Sequence, residues 1–174
     1  MSKNMMLEEQ LEIIRRHQNN GAPVHVVPIA NELGLEVFSV PNWPDNLSGM
    51  IRKEDDACKI YVNKEHHEHR RRFTIADEIA HFFLHRDLIG DGIADDALYR
   101  SNLSNKIEAQ ANSFAADMLM PWHLLDSYLQ DGIDDVSQLA RIFNVSNSAM
   151  SIKLGFPFEI HETEYPPVQA VAAG

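Results

Sequence analysis

Residues 71–85, RRFTIADEIAHFFLH, constrain this chain more than any other segment. Most positions after Phe73 are apolar, yet the stretch carries Asp77, Glu78, His81 and His85. On a helix turning about 100° per residue, and counting from Asp77, Glu78 falls at about 100°, His81 at about 40° and His85 at about 80°. Four ionisable groups therefore share roughly one quadrant of a helix that is otherwise buried on most sides. Unpaired charge in such a place is costly. The pattern calls for compensation by a metal, a salt-bridge partner or a water-filled cleft.

The segment D-E-I-A-H differs by one residue from H-E-x-x-H. In that motif two histidines one turn apart bind zinc, and the glutamate between them activates the bound water. A third protein ligand must come from elsewhere in the chain. Glu108, 27 positions beyond His81 (108 − 81), is a candidate, at the head of the apolar segment EAQANSFAADMLMP with Asn112 one turn on. On spacing alone, Asn105-Lys106-Ile107-Glu108 is better read as a capping box, with Asn105 as N-cap and Glu108 at N3.

Around this segment the periodicity predicts helices over 7–17 and 24–33, a strand over 35–40, and a loop punctuated by Pro41 and Pro44. A hairpin of strands 49–53 and 57–62 turns at Glu54-Asp55-Asp56. The motif helix is expected over 65–85, an irregular acidic stretch over 86–102, and a second apolar helix over 107–119. Shorter helices follow over 122–129, 136–143 and 146–154. This is one domain over 1–155, with a part of helix-turn-helix spacing at 134–155. Residues 156–174, with Pro157, Pro166 and Pro167, read as a flexible tail.

Fifteen Lys/Arg against 26 Asp/Glu give a net charge of −11. That balance argues against broad nucleic-acid binding and suits a basic partner surface. The helix-turn-helix stretch has only Arg141 and Lys153 as cations, so packing or protein contact is favoured there over DNA contact. The cluster His66, His67, His69, Arg70, Arg71 and Arg72 reads as a solvated helix face. The single cysteine, Cys58, has no internal partner and no flanking nucleophile motif, which fits a reducing cytoplasm. No run of about 18 apolar residues suggests a membrane span, and Glu8, Glu9 and Glu12 are unlike a signal peptide.

RRFTIADEIAHFFLH followed by IEAQANSFAADMLMP resembles the ImmA/IrrE family of metallopeptidases. Members typically show R-F-T-x-A-H-E-x-x-H-x-x-x-H and then E-x-x-A-N-x-F-A-x-x-L-L-M-P. The likeness extends over roughly residues 5–155. It implies an α+β, zincin-like core, with a small three-stranded sheet packed on the motif helix and a helical C-terminal half. It implies a zinc site and action on a helix-turn-helix repressor or antitoxin of the XRE type, in control of a mobile element, a stress response or a toxin–antitoxin switch.

Carried over residue by residue, Glu78 is the general base, His81 a zinc ligand and Glu108 the third ligand. The first ligand departs from the pattern, because Asp77 stands where the family has histidine. Aspartate can ligate through oxygen. The set Asp77, His81 and Glu108 is harder than His-His-Glu and leans toward manganese or iron. Three outcomes stay open: an active DExxH metallopeptidase, a site that binds metal but hydrolyses slowly, or a metal-free pseudopeptidase. The last would act as a protein-binding module or as a toxin component neutralised by an XRE-type antitoxin. His85 is expected beside the site or at the helix end, not as a ligand.

Overall fold

A computed structural model describes residues 3–55, 57–89 and 102–156. Most of the acidic stretch and the C-terminal tail lie outside these residues. In chain order the elements are α1 (Lys3–Gln18), α2 (Val26–Glu32), β1 (Glu36–Val40), β2 (Gly49–Glu54), β3 (Ala57–Asn63) and α3 (Glu68–Leu84). A 3-10 turn (Arg86–Leu88) follows α3, then α4 (Asn102–Leu119), α5 (Trp122–Gln130), α6 (Val136–Phe143) and α7 (Asn147–Lys153). The fold is α+β, as the sequence implies.

The sheet order is β1-β3-β2, so the strand richest in buried residues is central. β1 runs parallel to β3, from Glu36 opposite Lys59 to Val40 opposite Asn63. β2 runs antiparallel to β3, from Gly49 opposite Val62 to Glu54 opposite Ala57. Alternation sorts the two faces. Ile60 and Val62 point into the core with Ile75 and Ile79 of α3. On the other face Phe38 and Tyr61 stack, and Arg52 lies over the Tyr61 ring.

α3 is started by His67, whose ring accepts from the His69 N–H, and it buries Ile75, Ala76, Ile79, Ala80 and Phe82. Against it packs α4, whose Ala111 and Ala115 are fully buried, as are Ala76 and Ala80. Buried small side chains let helix axes approach closely. α1 holds the far end of α4: Gln18 Nε2 donates to the carbonyls of Asp117 and Met118, both at 3.1 Å, which a helix end leaves without internal donors. One core runs from Ile14 to Met150 and includes Leu139 and Phe143 of α6 and Val145 of the turn that follows.

Two expectations fail here. The cluster at the start of α3 is not a wholly solvated face. Arg72 is buried, donating through Nε to the Asn144 carbonyl at 3.0 Å and through Nη2 to those of Val24 (2.9 Å) and Phe143 (3.4 Å). Phe143 and Asn144 end α6, and Asn144 adopts a left-handed conformation. Carbonyls at a helix terminus need outside donors, and a planar guanidinium can serve several at once. His66 is also buried, with Nε2 on the Asp45 carbonyl at 3.1 Å.

The capping box also fails, because α4 begins at Asn102 and Asn105 lies inside it. Asparagine costs a helix interior less than about 1 kcal/mol, which packing against α3 outweighs. Lys153 of the helix-turn-helix stretch is turned inward, paired with Asp117 and lying over the Trp122 ring. Among the described residues no helix is long and apolar enough to cross a membrane.

Candidate metal centre

α3 and α4 bring Asp77, His81 and Glu108 together, with one ligand-type atom from each lying within 4.8 Å of the others. Asp77 and His81 are one turn apart on α3. Glu108 arrives from the second turn of α4. His81 Nε2 stands 3.5 Å from Glu108 Oε1 and 3.7 Å from Asp77 Oδ2. These distances allow an ion pair but exceed an ordinary N–H···O bond of about 2.7–3.2 Å.

Protonation decides between the two. Burial, reinforced by the nearby Glu108 carboxylate, pushes the Asp77 carboxyl up to about 7. Burial and the neighbouring His85 push the His81 ring down to about 4. Near neutral pH the imidazole is therefore uncharged and does not neutralise the carboxylates. Asp77 Oδ1 is buried with no hydrogen-bond partner. Two carboxyl groups and a neutral imidazole, with one Asp77 oxygen orphaned, form a donor set of the kind that holds a cation. Zinc bonds of about 2.0–2.2 Å place tetrahedral ligand atoms about 3.3–3.6 Å apart, close to the two separations at His81. The residues present fit a divalent metal.

The far side of His81 is held by a second pair. His81 Nδ1 lies 3.2 Å from Nδ1 of His85, and His85 Nε2 lies 3.3 Å from Gln110 Oε1 of α4. His85, which caps α3, is a neighbour of the site and not a member of the ligand cluster. Nothing in the sequence pattern marks Gln110 as part of the site beyond its position two residues after Glu108.

Glu78 is buried on the side of α3 that meets β2. A Cβ at Gly49 would stand 3.4 Å from Glu78 Oε1, 2.3 Å from Thr74 Cγ2 and 2.9 Å from the Tyr61 carbonyl. The first residue of β2 must therefore be glycine for α3 to sit where it does, a requirement that the strand pattern did not reveal.

A groove of about 800 Å³ lies between α3, α4 and the C-terminal helices, and Asp77, Glu78, His81 and Glu108 are not part of its lining. Its lining includes Phe73, one turn before Asp77, and Asn112, one turn after Glu108, and reaches Trp122 and Ile152. Trp122 and Ile152 are exposed, so the groove has an apolar, accessible far end.

Residues 30–154 match the family described as the IrrE N-terminal-like domain, peptidase M78. Metallopeptidase ImmA of Bacillus subtilis (strain 168) is 27% identical over 124 residues, covering 68% of this chain and 69% of that protein. Among solved structures, a Mycobacterium tuberculosis transcriptional regulator aligns with a TM-score of 0.57 over 88% of this chain at 18% identity. The match spans 48% of that regulator, about half its length, and shows a likeness of fold.

Proposed function

Because this chain belongs to the IrrE N-terminal-like family of M78 peptidases, we propose that it is a metal-dependent endopeptidase acting on a helix-turn-helix regulator. The observation that carries this is the meeting of Asp77, His81 and Glu108, with His81 Nε2 at 3.7 Å from Asp77 Oδ2 and 3.5 Å from Glu108 Oε1. In this proposal Asp77, His81 and Glu108 hold zinc, or manganese or iron given the two oxygen ligands. Such a cation supplies Lewis acidity toward a carbonyl oxygen and lowers the pKa of a nearby water. Glu78 takes the proton from the attacking water and returns it to the departing amine. The groove lined by Phe73 and Asn112 receives the substrate segment beside the cluster.

The partner follows from the resemblance and from charge. A net charge of −11 attracts a basic, DNA-binding protein and steers it toward the cleft. We assign that partner to the XRE type, as repressor or antitoxin, and place the encounter in the cytoplasm. Residues 1–155 act as one domain.

A second reading rests on Asp77. With its carboxyl raised to about 7, part of the population holds a proton at neutral pH and offers a poorer ligand. In that reading the protein grips its regulator without cutting it.

The test combines metal content with mass analysis of an XRE-type regulator incubated with the protein. Zinc, manganese or iron near one equivalent, lost in the His81→Ala, Glu108→Ala double variant, together with regulator fragments absent for Glu78→Gln, supports the peptidase. A folded, metal-free protein that holds the regulator intact overturns it in favour of the binding module.

A further inference from the structure

We propose that Gln110 and His85 are positioning residues that fix the tautomer of His81, keeping its Nε2 lone pair aimed at the space between Asp77 and Glu108. This rests on the metal site proposed above and goes beyond it, because it assigns work to two residues outside the ligand set.

Donors and acceptors alternate along the chain of contacts from Gln110 to His81. Gln110 Oε1 has lone pairs and no hydrogen, so the 3.3 Å contact requires His85 Nε2 to carry the proton. A neutral imidazole has one N–H, which leaves His85 Nδ1 as an acceptor. The 3.2 Å contact between the two Nδ1 atoms then requires His81 to donate from Nδ1. His81 Nε2 is left with its lone pair.

The opposite side of the ring agrees independently. A proton on His81 Nε2 would draw a carboxylate oxygen to hydrogen-bond distance, yet the nearest stand at 3.5 and 3.7 Å. His85 is held in register by its own backbone N–H, which donates to the His81 carbonyl at 2.8 Å. A ligating imidazole whose other nitrogen is fixed by a hydrogen bond needs no tautomer change on binding.

The test uses the full chain, metal-free, with its histidine rings labelled with nitrogen-15, and zinc as the probe. The parent and Gln110→Glu should show His81 protonated at Nδ1, since a carboxylate also accepts. Gln110→Lys should invert the relay: an ammonium donates to His85, and the His81 proton moves to Nε2. Ala109→Lys adds the same charge on a neighbouring exposed position and should leave the tautomer unchanged. Zinc affinity should fall about 10–100-fold in Gln110→Lys and in His85→Ala, and stay near the parent value in Ala109→Lys and Gln110→Glu. A parent protonated at Nε2, or a His81 signal that ignores both Gln110→Lys and His85→Ala, overturns the proposal. The expected tautomers without zinc binding would sink the metal site and leave the relay standing.

Discussion

His81 Nε2 lies 3.5 Å from Glu108 Oε1 across α3 and α4, two helices that bury Ala76, Ala80, Ala111 and Ala115 and bring Phe83 against Phe114. Buried small side chains let two helices approach closely, and their ligands with them. Enlarging one of these alanines should open the site without touching a ligand. Ala111→Val is expected to cost about 1–3 kcal/mol through overpacking and to weaken zinc binding further. Urea denaturation and a zinc titration, run side by side, would separate the two effects. A variant with lowered stability and unchanged affinity would show that the helix spacing does not set the site.

Asp77→His should restore two imidazoles and one carboxylate. With less negative charge around it, zinc stays a stronger Lewis acid, and the preference shifts from manganese or iron back to zinc. Any peptidase rate should rise in this variant. Competition between zinc and manganese, scored by elemental analysis, would detect the shift even where no substrate is in hand.

The metal-free protein should show a particular pH dependence. The Asp77 carboxyl is raised from 3.8 to about 7 on folding. Its contribution is fully present below the unfolded value and is lost as pH rises through about 7. His81 is lowered from 6.5 to about 4. Its contribution is present above the unfolded value and is lost as pH falls through about 4. Between these limits the two slopes oppose one another in the parent. Asp77→Asn removes one of them, so its stability should climb with pH up to about 6.5. By pH 8 it should exceed the parent by about 2–4 kcal/mol. Denaturation midpoints at pH 5 and pH 8 would check this. Equal differences at both values would mean that Asp77 titrates normally.

Gly49→Ala places a methyl 2.3 Å from Thr74 Cγ2 and 2.9 Å from a backbone carbonyl. The side chain can turn but the carbonyl cannot. A loss of about 1–3 kcal/mol is expected, along with displacement of Glu78. If Glu78 is the base, kcat should fall more than zinc affinity does. Pairing Gly49→Ala with Thr74→Ser, which removes Cγ2, should recover part of the stability.

Arg72→Met retains the apolar stem and removes every donor. Three carbonyls, of Val24, Phe143 and Asn144, then lose the guanidinium. We expect a loss of about 2–4 kcal/mol, against a few tenths for Arg70→Ala, whose exposed contact is with Ser48. Comparable losses at the two positions would contradict the buried role of Arg72.

The order of elements was legible because periodicity and punctuation both survive in a single sequence. The strand at 35–40, the hairpin and the helix at 136–143 emerge within a residue or so of their observed bounds. The cluster of Asp77, His81 and Glu108 was legible through the spacing of the motif and the resemblance of two blocks. Its supports were not. A run of histidines and arginines looks like a wet helix face until a helix end from elsewhere supplies carbonyls, as happens at Arg72. Asn105 looks like a cap, yet the helix begins three residues earlier, at Asn102. Gln110 and Gly49 act through neighbours distant in sequence, and local pattern holds no trace of a partner 25 or more positions away (110 − 85).

The guanidinium of Arg72 also fixes where the chain can be shortened. Two of its three acceptors belong to Phe143 and Asn144, seventy-one and seventy-two residues downstream. A version ending after α5 would keep every proposed ligand, yet strand a cation in the interior beneath the turn that starts the motif helix. The ligand-bearing helices and the C-terminal corner are therefore not separable modules. Any minimal version, or any transplant of this centre into another protein, must carry the chain through Asn144.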